Sequence, residues 1–220
     1  MKNLTLVIPA KYEADSLPKV LEEVKTFGCE IIIALEPNDI ETIKSTEGYI
    51  CKLIYQSEKG YGNALIEGMN NVQTDYLCIF NADGSFDPKY LKQMLSKCEE
   101  NYDFVFASRY MKNSGSDDDT LLTKVGNFVF TKIGNIFFSI NISDILYTYL
   151  IGKTDSFKKL NLECKDFSLC VEMPIKAKKF GMNFTDIASF ERKRIAGKKK
   201  VNEFKDGFKI LNYMIKSFFK

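Results

Sequence analysis

Over residues 1–110, short apolar runs alternate with segments of helical period, and this alternation constrains the fold more than any single motif. The runs are Leu4-Thr5-Leu6-Val7-Ile8-Pro9, Glu30-Ile31-Ile32-Ile33-Ala34-Leu35, Cys51-Lys52-Leu53-Ile54-Tyr55-Gln56, Asp75-Tyr76-Leu77-Cys78-Ile79-Phe80 and Tyr102-Asp103-Phe104-Val105-Phe106-Ala107. Between them Leu17, Val20, Leu21, Val24 and Phe27 recur at helical spacing, as do Ala64, Leu65, Gly68, Met69 and Val72, and then Leu91, Met94, Leu95 and Cys98. Strands joined through helices can lie parallel, and strands buried on both faces read as near-continuous apolar runs. The expectation is an α/β fold, a Rossmann-like and mostly parallel sheet with helices on both faces.

In such sheets ligands bind beyond the carboxyl ends of the strands. Asn81-Ala82-Asp83-Gly84-Ser85-Phe86 follows the fourth run, and Asp87-Pro88 then reads as an N-cap and first helical position. Oxygen donors one residue apart suit a hard divalent cation carrying a substrate phosphate; the alternative is a simple acidic turn. Pro9-Ala10-Lys11-Tyr12-Glu13 and Glu36 share this edge. Lys59-Gly60-Tyr61-Gly62-Asn63 lacks the third glycine and the acid of a dinucleotide fingerprint, which argues against a Rossmann dehydrogenase. Lys59 either joins the loop amides on a phosphate or is a solvated turn lysine.

Histidine is absent, which removes Ser-His-Asp and Cys-His systems and any imidazole base, and leaves electrostatic chemistry. The net charge of +2 gives no general case for nucleic acid. The cysteines form no Cys-x-x-Cys pair, no signal peptide is read, and reduced cytoplasmic thiols are expected. Residues 113–120 read as a loop, its Asp117-Asp118-Asp119 run a solvated stretch or a helix-start signal rather than a metal site. Residues 121–140 are rich in Phe and Ile, with Lys124, Lys132, Gly126 and Gly134 interrupting them; a buried helix is expected in preference to one on a membrane surface, and a transmembrane span is a poor fit. Residues 166–181 read as a helix containing Glu172, and 183–191 alternate like a strand. The segment Glu191-Arg192-Lys193-Arg194-Ile195-Ala196-Gly197-Lys198-Lys199-Lys200, six cations around one glycine, suits phosphate, pyrophosphate or anionic lipid, unless it is only a solvated charge run. Residues 204–220 set Phe208, Leu211, Ile215 and Phe218 against Lys205, Lys209, Lys216 and Lys220, an amphipathic helix for packing on the domain or lying on a membrane.

Taken in order, Val7-Ile8-Pro9-x-x-x-Glu13, Glu30-Ile31-Ile32-Ile33, Lys59-Gly60-x-Gly62-Asn63-Ala64, Asn81-Ala82-Asp83-Gly84, Ser108-Arg109-Tyr110 and Arg194-x-x-Gly197-x-x-Lys200-Val201 resemble the motifs of family-2 glycosyltransferases with the GT-A fold. The dolichyl-phosphate mannosyltransferase and polyprenyl-phosphate glycosyltransferase branch is the most similar. The resemblance implies one glycosyltransferase domain over 1–220, with a nucleotide-sugar-binding half (1–110) and an acceptor-side half (111–220) bearing the basic loop and the C-terminal helix. It implies that Pro9, Lys11, Glu13, Glu36, Lys59, Gly60 and Asp83 bind the nucleotide sugar, and that Asp83, Asn81 and Ser85 hold Mg2+ or Mn2+. It places Asp83 and Arg109 in the chemistry, and Arg109, Lys124, Asp144, Arg194 and Lys200 on the acceptor and its phosphate. Asn81 stands where the family usually has aspartate, Ser85 replaces a common amide, and Asp144-Ile145-Leu146-Tyr147-Thr148 stands where the branch has Asp-Pro-x-Ser-Gly.

The activity implied is inverting transfer of a hexose from a nucleotide-diphosphate sugar to a polyprenyl phosphate, by a cytoplasmic protein held peripherally on the inner membrane face. An anionic phosphate acceptor needs no general base, in keeping with the missing histidine. Two other readings stay open. One is transfer to a saccharide hydroxyl in surface-polysaccharide assembly, with Glu172 or Asp166 as base; the other is a non-catalytic nucleotide-binding module.

Overall fold

A computed structural model describes residues 1–219; Lys220, expected in the last helix, lies outside the described residues. The first half runs β1 (Leu4–Ala10), α1 (Leu17–Lys25), β2 (Glu30–Leu35), α2 (Ile40–Lys44), β3 (Lys52–Tyr55), α3 (Tyr61–Met69), β4 (Tyr76–Ile79), α4 (Leu91–Glu99) and β5 (Phe104–Ser108). The second runs β6 (Gly115–Ser116), α5 (Leu121–Phe138), β7 (Leu150–Lys153), α6 (Thr154–Leu160), α7 (Leu169–Lys179), β8 (Phe184–Ala188), β9 (Phe190–Glu191) and α8 (Glu203–Phe218). The main sheet has the order β3-β2-β1-β4-β7-β5-β8.

Pairing is parallel from β3 to β4 and between β5 and β8, with Val7 opposite both Ile32 and Ile79. Side chains alternate across the sheet. Leu4, Leu6 and Ile8 pack with Leu17, Leu21, Leu91 and Met94 on one face. Val7, Ile32 and Ile79 pack with Leu65, Met69, Phe157 and Leu169 on the other. Helices therefore cover both faces, as a mostly parallel sheet requires. The sequence reading contains no counterpart of β7, which runs antiparallel between β4 and β5 and is too short to show a period. Its register, Ile79 opposite Leu150, lays residues 147–149 beside the acidic stretch that follows β4.

Two expectations need correction. Residues 113–120 are tied down rather than merely solvated: β6 pairs with β9, Gly115 opposite Phe190 and Ser116 opposite Glu191. The helix over 121–140 is not buried on its apolar side, for α5 buries Asn127, Thr131 and Gly134 and exposes Leu122, Val125, Phe128, Val129, Ile136 and Phe137. The cause is a polar stripe at i, i+4 and i+8, which faces the backbone that follows. Leu146 N donates to Asn127 Oδ1 (3.1 Å), Ile145 N to Thr131 Oγ1 (3.2 Å), and Asn135 Nδ2 to Ile142 O (2.8 Å). α8 lies alongside, with the rings of Phe137 and Phe218 5.5 Å apart; it buries Ile210 and Met214 and exposes Phe204, Phe208, Ile215 and Phe218. Among the described residues, no helix is long and apolar enough to cross a membrane.

Candidate active site

A cleft of about 640 Å³ opens at the carboxyl ends of β1, β2 and β4 and extends to α5 and α8. Its first wall is the loop after β1. Lys11 Nζ lies 2.7 Å from Glu36 Oε1, Tyr12 N donates to Asp39 Oδ2 (2.6 Å), and Glu13 N donates to Thr42 Oγ1 (2.9 Å). Residues following β2 thus set the shape of the loop following β1. Gly60, with φ of 145°, opens α3; a Cβ there would run into the Lys165 carbonyl, so the turn sits flush on the chain before α7.

The acidic stretch forms the floor. Asp83 Oδ1 accepts from Ser85 N (3.0 Å), and Asn81 Nδ2 donates to Ser85 Oγ (3.4 Å). Gly84, at φ of 80°, leaves the space taken by the Ile195 side chain, and Ile195 N donates to Asp83 O (2.8 Å). These contacts bring the basic loop across the cleft. Arg194 Nε donates to Asp118 Oδ1 (3.0 Å) and Nη1 lies 3.4 Å from Asp83 Oδ2, while Lys200 pairs with Glu13. The bond to Asp118 is the main cause that raises the Arg194 pKa, with burial opposing and the charge of Asp83 assisting.

Arg109 occupies a more enclosed position. Its Nε and Nη2 donate to Asp144 Oδ2 (2.7 Å) and Oδ1 (3.0 Å), and Nη1 donates to Glu191 Oε2 (3.2 Å). Burial acts to lower its pKa, but the carboxylates of Asp144 and Glu191 outweigh this and hold it well above the ordinary arginine range. Burial is also the main influence on Glu191, whose carboxyl is pushed up although Arg109 and the Ser116 hydroxyl draw it down.

The donor set suits a hard divalent cation. One carboxylate (Asp83), one amide oxygen (Asn81) and one hydroxyl (Ser85) on the same wall are the kind of oxygen donors that would hold Mg2+ or Mn2+ together with a substrate diphosphate. Among the described residues, no cluster of His, Cys, Asp or Glu side chains could hold a metal by itself. Charge gives the same answer: Glu13, Glu36, Asp83, Asp118, Asp119, Glu191 and Glu203 outnumber Lys11, Arg109, Arg194, Lys199 and Lys200 on the cleft walls. A diphosphate entering alone would meet an excess of negative charge.

Of the residues singled out from sequence, Pro9, Lys11, Glu13, Glu36, Gly60, Asn81, Asp83, Ser85, Arg109, Arg194 and Lys200 line this one cleft. Asp144 stands behind the wall as the buried partner of Arg109. Lys59 and Lys124 are exposed and are not brought to the cleft. The two carboxylates considered as bases are engaged elsewhere. Glu172, fully buried, accepts from Glu163 N (2.9 Å) and Cys164 N (2.8 Å) and pairs with Lys176; Asp166 pairs with Lys209 (3.0 Å) and accepts from Ser168 N (2.9 Å) in the turn before α7.

Sequence reasoning missed Asp118, Asp119, Glu191, Asn127 and Tyr147, all of which line the cleft. Asp118 and Asp119 stood in view as an acidic run beside a long helix, but only the pairing of β6 with β9 turns them inward. Nothing local marks Tyr147 or Asn127.

The chain matches the family model described as Glycosyl transferase family 2 over residues 5–160. It is similar to Glycosyltransferase AglJ of Haloferax volcanii, 23% identical over 182 residues that make up 82% of this chain and 60% of that protein. It is also similar to the uncharacterized glycosyltransferase Mb0553 of Mycobacterium bovis, 25% identical over 107 residues, 48% of each chain. The chain therefore spans 60% and 48% of the lengths of these two relatives. Among solved structures, glucosyl-3-phosphoglycerate synthase from Mycobacterium tuberculosis in complex with Mn2+, UDP and glucosyl-3-phosphoglycerate superposes with a TM-score of 0.78 at 10% identity, covering 98% of this chain and 80% of that one. Mannosyl-3-phosphoglycerate synthase from Rubrobacter xylanophilus gives a TM-score of 0.75 at 14% identity, covering 97% and 72%. These superpositions establish the GT-A type of fold. The family match takes in β1 to β7, the acidic stretch and Arg109, and the chain belongs to glycosyl transferase family 2.

Proposed function

We propose that the chain transfers a hexose, with inversion, from a nucleoside-diphosphate sugar to a lipid phosphate of the polyprenyl type, working peripherally on the cytoplasmic face of a membrane. One observation carries this reading: a single cleft has a charged end and an apolar end. At the apolar end, Leu122, Gly126 and Phe130 of α5 lie across from Phe204, Gly207 and Ile210 of α8. A second hollow of about 200 Å³, walled by Ile133, Phe137, Leu211, Met214, Ile215 and Phe218, continues along the same helix pair. A saccharide would leave these walls without a partner, whereas a hydrocarbon chain gains about 0.8 kcal/mol for each methylene it buries.

The residues divide the work by position. Lys11, Glu13 and Glu36 hold the nucleoside. Asp83, with Asn81 and Ser85, holds the cation, which when bound supplies Lewis-acid stabilisation of the leaving diphosphate. Arg194 and Lys200 exchange their carboxylate partners for phosphate oxygens and stabilise the charge that develops there. Arg109, its charge already matched by Asp144 and Glu191, positions the cleft wall. The acceptor is an anion and attacks without a base, which agrees with the engagement of Glu172 and Asp166 elsewhere. A second reading, a small water-soluble phosphate acceptor, draws on the structural neighbours, which are named for glucosyl- and mannosyl-3-phosphoglycerate.

The test supplies labelled UDP- and GDP-sugars with Mg2+ or Mn2+ to polyprenyl phosphate in vesicles and, separately, to 3-phosphoglycerate. Metal-dependent label in solvent-extractable lipid is expected, reduced at least ~100-fold in a folded Asp83→Ala variant. Label found only in a water-soluble phosphoester would replace the lipid reading with the second one.

A further inference from the structure

Two buried polar groups on the cleft wall have no protein partner among the described residues: Tyr147 Oη and Asn127 Nδ2. Both residues are almost wholly enclosed, with 4% and 2% of their surface exposed. Neither is free to turn away. The guanidinium of Arg109 lies over the Tyr147 ring, 4.5 Å from its centroid, and Phe86 packs against it at 5.0 Å. Asn127 is fixed by its other amide atom, which accepts from Leu146 N. Buried polar groups without partners are rare in folded proteins because each forfeits its hydration. Tyr149 shows the ordinary arrangement, fully buried but donating to Asp87 O (2.9 Å).

The pairing of β4 with β7 sets Tyr147 next to the residues that follow β4, and so beside Asp83. Asn127 meets the same segment from α5. Resting on the nucleotide-sugar reading above, we propose that Tyr147 and Asn127 are specificity-determining residues whose donors hold hydroxyl oxygens of the sugar being transferred. The ligand chemistry is that of a polyol attached to a diphosphate: the cation site takes the diphosphate, and the two neutral donors take hydroxyls on the ring beyond it. Neutral donors suit hydroxyls, whereas the phosphate groups have Arg194 and Lys200 close by.

The test is a calorimetric titration of a nucleoside diphosphate and of its sugar derivatives into the wild type, Tyr147→Phe and Asn127→Asp, the latter keeping the oxygen that accepts from Leu146 N. A hydroxyl without a protein partner contributes nothing to folding, so the thermal midpoint of Tyr147→Phe should match or exceed that of the wild type. Affinity for the nucleoside diphosphate should be unchanged in Tyr147→Phe, and affinity for the preferred nucleotide sugar should fall about 5- to 10-fold in both variants. Equal affinities for the nucleotide sugar in all three proteins would overturn the inference. So would a parallel loss for the nucleoside diphosphate in Tyr147→Phe. Because the titration contains no acceptor, it stands or falls separately from the lipid-phosphate reading, which the transfer assay decides.

Discussion

Glu172 illustrates how a carboxylate near a cleft can belong wholly to the fold. It anchors the chain at Glu163 and Cys164 before α7 and pairs with Lys176 at 2.8 Å. Glu172→Ala leaves two amides and a lysine without that partner, and urea denaturation should show a loss of about 2–4 kcal/mol, while the folded fraction keeps its rate of sugar transfer. Glu191 behaves differently. Burial raises its folded pKa above 4.5, so the folded state holds the proton more tightly than the unfolded chain does. The stability this group contributes is complete below the ordinary glutamate range and is lost as pH rises through the raised value. Thermal midpoints measured from about pH 4 to 7 should therefore fall in the wild type relative to Glu191→Gln as pH rises. Asp83, Glu13 and Arg194 were legible in the sequence because each sits in a polar loop at a strand end or beside a glycine in a charge run. Tyr147 and Asn127 were not, because their placement depends on β7 pairing with β4 and on the direction in which α5 faces.

α5 and α8 together present most of the exposed large apolar side chains near the cleft, among them Phe128, Phe137, Phe204, Phe208 and Ile215. Under the proposed function this patch would lie on the membrane, and Lys124, Lys132, Lys205 and Lys216 on the same helices would favour an anionic one. A Phe208→Glu, Ile215→Glu double variant should sediment with anionic vesicles at least ~10-fold less well than the wild type, with an unchanged thermal midpoint, since both side chains already face outward. Retained binding would remove the membrane from the account. The strands of the first half were legible because apolar runs bounded by polar loops state both their length and their burial. α5 was legible as a helix but not in its orientation. Its composition suggested a buried segment, whereas Asn127, Thr131 and Asn135 carry the inward face by bonding backbone that an apolar stripe would have left unpaired.

The two halves of the chain meet in one cleft. β1, β2 and β4 supply its charged end, α5 and α8 its apolar end, and the loop after β9 crosses between Asp83 and Glu13. β7 and β8 make this possible by adding second-half strands to the first-half sheet. Under the proposed function, the Lys11–Glu36 wall, Asp83, the cationic loop and the apolar seam would take in turn a nucleoside, its diphosphate and a phosphate with a hydrocarbon tail. The most direct test is the kcat/KM for sugar transfer to a long polyprenyl phosphate against that for a phosphate acceptor with no hydrocarbon tail, under the same donor and metal. A preference of at least ~100-fold for the long chain is expected, a small part of what burying several isoprene units along α5 and α8 can supply. Equal values, or a preference for the acceptor without a tail, would contradict it.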